Sequence, residues 1–204
     1  MTAGPLDAYN VVWESPSRNA AESMPCGGGD IGLNVWVEDG EVLFYMQRSG
    51  SLAETNEYLK LGRVRLRLDP NPFASPGAVF RQELKLREGH VEIRGSAAGD
   101  DGKPLDATVR IWVEVRRPII HLEVESNQPL HARASYENWR LKDEMIPHND
   151  RRRSFFSLAK YPGEVQLSKD SVAHAAGGVL FYHRNPRDNT VPDLLIKQQG
   201  LGKF

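Results

Sequence analysis

The chain has 204 residues, 40% hydrophobic and 26% charged, which is typical of a globular protein and too apolar for a disordered one. Its 26 basic and 27 acidic residues leave a net charge of −1, so no long-range field would gather nucleic acid or an anionic membrane. No apolar run reaches the roughly 18 residues of a membrane span. Cys26 is the single cysteine, which excludes a disulfide within the chain. We therefore expect no nucleic-acid partner and no membrane span.

Apolar and charged residues alternate along most of the chain. Three arginines alternate with three apolar residues in 63–68, and the same pattern recurs in 83–87 and 109–116. Side chains on a β-strand point to opposite faces at every second residue, so such runs have one apolar and one polar face. The pattern predicts an all-β protein, a large antiparallel β-sandwich with little helix. Because all-β domains often reach about 200 residues, we expect a single domain over 1–204.

Turn residues divide the chain into candidate strands. In chain order these are Val11–Trp13, Ile31–Glu38, Val42–Gln47, Lys60–Leu68, Phe80–Arg87, Val91–Gly95, Ala107–Arg116, Ile119–Glu125, His131–Tyr136, Val165–Leu167, Gly178–His183 and Leu194–Gln198. Asp39-Gly40 predicts a tight hairpin, and Glu88-Gly89 a second turn. The stretch Ser51–Leu59, with Ser51 as N-cap and Glu54 three residues later, predicts a short helical turn. Proline and glycine predict surface loops at 70–77, 99–104, 147–162 and 185–192.

The segment Met24–Asn34 is rich in glycine, with Gly27, Gly28, Gly29 and Gly32. Glycine lets a backbone approach a ligand or another strand closely. The segment is not a phosphate loop, because its Lys and Ser/Thr are missing and a strand follows. Two interpretations stay open: a ligand-binding loop, or a bend between strands.

The strand after the glycines suggests a sugar site. If alternate residues from Ile31 to Val37 face the core, the opposite face holds Asp30, Gly32, Asn34 and Trp36. A carboxylate, an amide and an indole on one surface suit a sugar, whose C–H face packs on an aromatic ring. The alternative, which we favour for Trp36, is that it packs under a neighbouring sheet or domain.

A second polar cluster runs from Tyr136 through Trp139 and Arg140 to the 148–153 segment. It could line a cleft, although a solvated loop is commoner. The arginines at 151–153 are interpreted as surface or as a contact to a neighbouring domain.

Catalytic and metal signals are weak. His121 and His183 lack the spacing of metal ligands, so we interpret them as satisfied surface histidines. No serine lies in a nucleophile elbow, and Cys26 has no identifiable histidine partner. Glu54, Glu57 and Glu137 could pair for glycoside hydrolysis, but sequence cannot place them. We predict no catalytic residue, no metal and no cofactor in this chain.

Longer stretches of the sequence resemble a known family. They are SMPCGGGDIGLNVWVEDGEVLFYMQRSGSLAE, LKLGRVRLRLDPNPF, FRQELKLREG, ASYENWR and FYHRN. Together they resemble the DUF5703 family, the N-terminal domain of large bacterial proteins, often from the Bacteroidetes, that are classed as glycoside hydrolases. The Met24–Val35 stretch also resembles, more loosely, the P-L-G-N-G-x-x-G segment of glycoside hydrolase family 95, the inverting α-L-fucosidases.

The resemblance implies a β-supersandwich that packs on a C-terminal (α/α)6 catalytic barrel of the same polypeptide. The catalytic carboxylates would lie in that barrel, outside this chain. The asparagine of the family 95 segment is replaced here by Gly28, which puts a substrate contact from that position in doubt. The first ten residues have neither the basic start nor the apolar stretch of a secretory signal, so either the protein is cytoplasmic or the signal peptide is not part of this chain. Given the resemblance to carbohydrate-active enzymes, we expect the second case and a periplasmic or extracellular location. The chain also stops soon after a strand-like segment, which we interpret as the end of a fragment.

These observations predict a non-catalytic N-terminal domain of a carbohydrate-active enzyme, with carbohydrate as ligand. The residues predicted to line the rim of the sugar site are Asp30, Asn34, Trp36, Arg48, Trp139 and Arg184. Two alternatives stay open: a free-standing carbohydrate-binding module, with Trp36 and Trp139 as its stacking platform, and a protein-interaction domain.

Overall fold

A computed structural model of the chain describes residues 4–55, 57–75, 77–99, 102–147, 164–185, 196 and 199–201. The chain divides into two compact units. We call Met1–Arg48 with Gly62–Glu137 the sandwich unit, and Ser49–Leu61 with Asn138–Phe204 the second unit. One domain over 1–204 stays a prediction.

The first sheet of the sandwich unit has five antiparallel strands. They are β1 (Val11–Trp13), β6 (Val79–Lys85), β7 (His90–Ala98), β8 (Pro104–Val113) and β9 (Ile120–Ser126), in that spatial order. Alternation sets its two faces: in β8, every second residue from Leu105 to Val113 is buried. On the other face Glu92, only 5% exposed, lies 2.6 Å from Arg94 and 2.9 Å from Arg110.

The second sheet also has five strands. They are β2 (Met24–Gly28), β3 (Ile31–Glu38), β4 (Glu41–Leu52), β5 (Tyr58–Asp69) and β10 (His131–Glu137), in the spatial order β10-β5-β4-β3-β2. The arginines of β5 that alternate with apolar residues form ion pairs across the polar face. Arg65 pairs with both Glu41 and Glu137, and Arg63 donates to Glu137 at 2.6 Å.

The core of the sandwich unit lies between the two sheets. Val35 of β3, Ile93 of β7 and Ile111 of β8 are all 0% exposed. Gln82 of β6 is fully buried, and its Nε2 donates to the carbonyl of Val35 in β3 at 3.3 Å. This bond joins one sheet to the other, so the predicted β-sandwich is confirmed.

The second unit has two small two-stranded sheets. β11 (Glu144–Met145) pairs with β12 (Gln166–Leu167), and β13 (Ser171–Ala175) pairs with β14 (Gly178–Tyr182). Both are antiparallel. β13 and β14 form a tight hairpin with Gly177 at φ 83° in its turn.

Most predicted strands are confirmed, with shifted ends. The Asp39-Gly40 hairpin is confirmed too: both residues have positive φ, and Glu38 pairs with Glu41. The Glu88-Gly89 turn is also present, since the amide of Gly89 donates to the carbonyl of Lys85 at 2.7 Å.

The helical turn predicted at Ser51–Leu59 is wrong. Ser51 and Leu52 end β4, Tyr58 and Leu59 begin β5, and the amide of Ala53 donates to the carbonyl of Glu57 at 2.9 Å. The capping pattern was local, whereas pairing of two long strands is favoured by the whole sheet. The structure has 3-10 turns at Asp7–Tyr9 and Ala20–Glu22.

Four predictions lie wholly or mostly outside the described residues. They concern the strand Leu194–Gln198, the loops at 147–162 and 185–192, and the arginines at 151–153.

Candidate functional site

The glycine-rich segment forms a hairpin between β2 and β3. Gly28 pairs with Ile31, which leaves Gly29 and Asp30 as a two-residue turn, and Gly29 has φ 57°. A Cβ on Gly28 would lie 2.5 Å from the carbonyl oxygen of Val113, and one on Gly27 would lie 2.7 Å from that of Ile31. The glycines thus let the hairpin lie against the end of β8, which fits the bend between strands.

Gly32 and the polar residues near it have open surroundings. A Cβ on Gly32 would meet no atom within 4 Å. Arg48 donates to Asp30 at 2.7 Å, and their side chains are 49% and 42% exposed. Asn34 is exposed and donates to Ser23 at 3.0 Å. The structure therefore brings Asp30, in the turn, and Arg48, in β4, together at the surface. Asn34 lies in β3, which begins directly after Asp30.

Trp36 departs from the predicted exposed face. Val35, Trp36 and Val37 are all 0% exposed, so this part of β3 is covered on both faces. The indole lies against Tyr45, with ring centroids 4.9 Å apart, and donates to Glu38 at 2.8 Å. A sugar-stacking ring must be exposed, so this corrects the expectation for Trp36, and its burial matches the alternative of packing.

Trp139 of the second unit borders an open cleft of about 410 Å³, which we call the Trp139 cleft. Its ring is 46% exposed, and the Arg140 guanidinium carbon lies 5.9 Å from the ring centroid. The described residues that line the cleft are Ala53, Glu54, Glu57, Tyr58, Leu59, Lys60, Trp139, Arg140, Lys142, Glu144, Leu167 and Ser168. Arg184, though exposed in the same unit, is not among them.

Four titratable residues whose side chains have little exposure, the Glu54–Arg140–Asp170–His183 cluster, lie behind this cleft. The imidazole of His183 is hydrogen-bonded on both sides: Nδ1 lies 2.8 Å from Asp170 and Nε2 lies 3.2 Å from Glu54. Arg140 donates to both carboxylate oxygens of Asp170, at 2.8 and 2.5 Å. The side chains are 3–16% exposed. Glu54 and Arg140 also line the cleft, so the cluster fixes part of its wall.

His183 is therefore a buried histidine, which corrects its interpretation as a surface residue. His121 is half-exposed in the sandwich unit, stacks on Trp112 at 4.6 Å and lies 2.7 Å from Glu114. Over the described ranges, no group of three or more His, Cys, Asp or Glu side chains could hold a metal ion.

The other two acids considered for hydrolysis belong to different units. Glu137 belongs to the sandwich unit, where hydrogen bonds from Arg65 and Arg63 hold the pKa of its carboxyl below the usual value. Glu57 belongs to the second unit and accepts a hydrogen bond from Thr55 at 2.9 Å.

Burial raises the pKa of the Cys26 thiol, which lies 3.8 Å from the carbonyl of Ile111. A thiol kept neutral is a poor nucleophile.

Asp170 is the member of the cluster that sequence reasoning missed. Residues 54, 140, 170 and 183 are far apart in the chain, and no fixed spacing links them. The one available signal was a lone acid beside a predicted strand, which is too common to be informative.

The fold and site define an all-β domain with an aromatic-lined cleft. A family model described as a domain of unknown function (DUF5703), in its N-terminal form, matches residues 12–204. The chain therefore belongs to the DUF5703 family, as its N-terminal domain. A search of curated proteins finds no match to the chain. Among the described residues, no helix is long and apolar enough to cross a membrane.

Proposed function

We propose that this chain is the non-catalytic N-terminal β-sandwich domain of a glycoside hydrolase, and that the Trp139 cleft binds carbohydrate. The glycoside hydrolase context is supported by the resemblance of the sequence stretches quoted above. The carbohydrate ligand is supported by the composition of the cleft.

The exposed ring of Trp139 in an open cleft is the observation on which the proposal depends. Tyr58, 69% exposed, also lines the cleft, together with acidic and basic side chains. An exposed aromatic face accepts the C–H face of a sugar, while neighbouring polar groups bond its hydroxyls. A cleft of about 410 Å³ falls within the range of small-molecule sites.

The state of the described carboxylates supports a non-catalytic role. A glycosidase needs two carboxyl groups at the scissile bond, one with a raised pKa so that it stays protonated. Both carboxylate oxygens of Glu54 already have partners within the fold: Oε1 accepts from the amide of Ser168 at 2.8 Å, and Oε2 lies 3.2 Å from Nε2 of His183. The pKa of Glu137 is lowered, which disfavours its protonated form.

The catalytic partner proposed for this domain is a C-terminal (α/α)6 barrel of the same polypeptide. Asp30, Asn34 and Arg48 are exposed on the sandwich unit and are available to such a partner as rim residues. A periplasmic or extracellular location belongs to the same proposal, and cell fractionation of the native host tests it.

Calorimetry with a panel of α-fucosides and plant polysaccharides tests the binding proposal. We expect Trp139→Ala to lower affinity at least tenfold, which corresponds to about 1.4 kcal/mol. Tyr9→Ala, at a 72% exposed aromatic of the sandwich unit, is the matched control and should leave affinity unchanged. An unchanged affinity in Trp139→Ala would show that the cleft is not the site.

The activity proposal needs the full-length gene product. We expect it to hydrolyse an α-linked glycoside with inversion, followed by the anomer first formed in proton NMR, while the 204-residue chain shows no turnover. Turnover by the 204-residue chain would contradict the proposal.

A protein-interaction domain is the second candidate. It is favoured by the β13–β14 hairpin, where Val172, Val179, Leu180 and Tyr182 are 45–57% exposed. Exposed apolar side chains on a two-stranded sheet are typical of a binding surface. Size-exclusion chromatography with light scattering distinguishes a monomer from a self-associating chain.

A further inference from the structure

The charged side chains around the Trp139 cleft balance in number. Three lining residues are acidic and three are basic. They are Glu54, Glu57, Glu144, Lys60, Arg140 and Lys142. A site for an anionic ligand normally shows an excess of cations, with an arginine fork open to the ligand.

Arg140 is the residue in the cleft best suited to bind a carboxylate, but each of its three guanidinium nitrogens already donates a hydrogen bond within the protein. Nε and Nη2 donate to Asp170, and Nη1 donates to the carbonyl of Lys60 at 2.7 Å. Its side chain is only 16% exposed. An anionic ligand that binds the Nε–Nη2 edge of the guanidinium in a bidentate way would have to displace the carboxylate of Asp170 and leave it buried without its partner, which is strongly unfavourable.

The buried acid of the cleft, Glu54, also has its hydrogen-bond partners within the protein. Glu54, whose side chain is 4% exposed, receives the amide of Ser168 on Oε1 and faces His183 on Oε2. A cationic ligand would therefore compete with partners that the fold already supplies.

The charges at the exposed rim also pair with each other. Lys142 lies 3.3 Å from Glu144, with side chains 80% and 60% exposed. Water and salt screen such a pair, so it gives little attraction to either sign of ligand charge.

We propose that the Trp139 cleft is selective for uncharged sugars over sugars that carry carboxylate or sulfate groups. This inference rests on the proposed carbohydrate-binding function and narrows its ligand class. Stacking on Trp139 and hydrogen bonds to sugar hydroxyls supply the affinity. An ionic group on the ligand would lose its water on binding and find no free charged partner in the cleft, which lowers the affinity for charged sugars.

The test uses calorimetry on the 204-residue chain with a matched pair of ligands: oligogalacturonide, which carries carboxylates, and its fully methyl-esterified form, which is neutral. Neutral glucans, xylans and fucosylated xyloglucan complete the panel. We expect neutral ligands to bind at least tenfold tighter than the charged form. Raising NaCl from 50 to 500 mM should change the affinity for a neutral ligand less than threefold.

Two variants separate the possible outcomes. Trp139→Ala should lower neutral binding at least tenfold, and Tyr9→Ala, at a 72% exposed aromatic of the sandwich unit, should leave it within threefold. Tighter binding of the charged form that Trp139→Ala still abolishes would overturn the selectivity while the carbohydrate function stands. No binding across the whole panel would overturn both proposals.

Discussion

Replacement of Gly28 by alanine tests whether the glycine-rich hairpin has a structural role. The added Cβ would lie 2.5 Å from the carbonyl oxygen of Val113, against 3.4 Å or more for an ordinary contact. The two strands must separate by about 0.9 Å, and backbone on both sides prevents a simple side-chain rotation. Overpacking of this kind costs about 1–3 kcal/mol, and we expect Gly28→Ala to fall in the upper half of that range.

Urea unfolding followed by tryptophan fluorescence measures this cost. Trp13, Trp36 and Trp112 lie in the sandwich unit, so the signal is dominated by the unit that the variant perturbs. Gly32→Ala is the matched control: its Cβ meets no atom within 4 Å, so it should stabilise the strand by up to about 1 kcal/mol. Equal midpoints for the two variants, with equal m-values, would refute the close approach at Gly28.

Three further predictions concern buried side chains. Trp36→Ala should lower the free energy of unfolding by about 3–5 kcal/mol in the same assay, because it empties a fully buried site; a loss below about 1 kcal/mol would contradict that burial. Asp170→Asn should cost about 3–5 kcal/mol by urea unfolding followed by far-UV circular dichroism, since Arg140 is left buried without its counter-ion; a neutral effect would contradict the pairing. Burial lowers the pKa of His90, so the unfolded chain binds the proton first. Stability should therefore fall as the pH drops below about 6.5, and His90→Gln should reduce that slope; the same slope in both proteins would contradict it.

The sandwich could be predicted because its strands are long and amphipathic. In β5 and β8, apolar and polar residues alternate over most of the strand length. A shift of either strand by one residue in its pairing would move all its apolar side chains to the polar face, so the pattern strongly favours one register. β2 was missed because Met24–Gly28 contains a proline and two glycines, which ordinarily argue against a strand. It is an edge strand, where those residues are tolerated, and its close approach to β8 requires the glycines.

The site was only partly predictable, for a different reason. Trp139 stood out as an aromatic among polar residues, and it proved exposed beside a cleft. The alternation in β3 predicted that Trp36 would be exposed as Trp139 is, but Trp36 is buried. Whether the second face of a strand is covered depends on packing with distant parts of the chain, which local periodicity does not reveal. His183 contacts Glu54 across 129 residues and Asp170 contacts Arg140 across 30, separations over which single-sequence patterns give no signal.

The cluster behind the Trp139 cleft connects the stability of the second unit to its proposed function. A buried ion network contributes little net stability compared with a packed apolar core, but removal of one member leaves the others buried and unpaired. The imidazole of His183 bridges Glu54 and Asp170, and Asp170 in turn holds Arg140 beside the Trp139 ring. The residues that shape the cleft are thus held by partners that do not line it. A substitution at Asp170 or His183 should therefore weaken sugar binding without removing any group that touches the sugar, and the loss should follow the fraction of unfolded second unit.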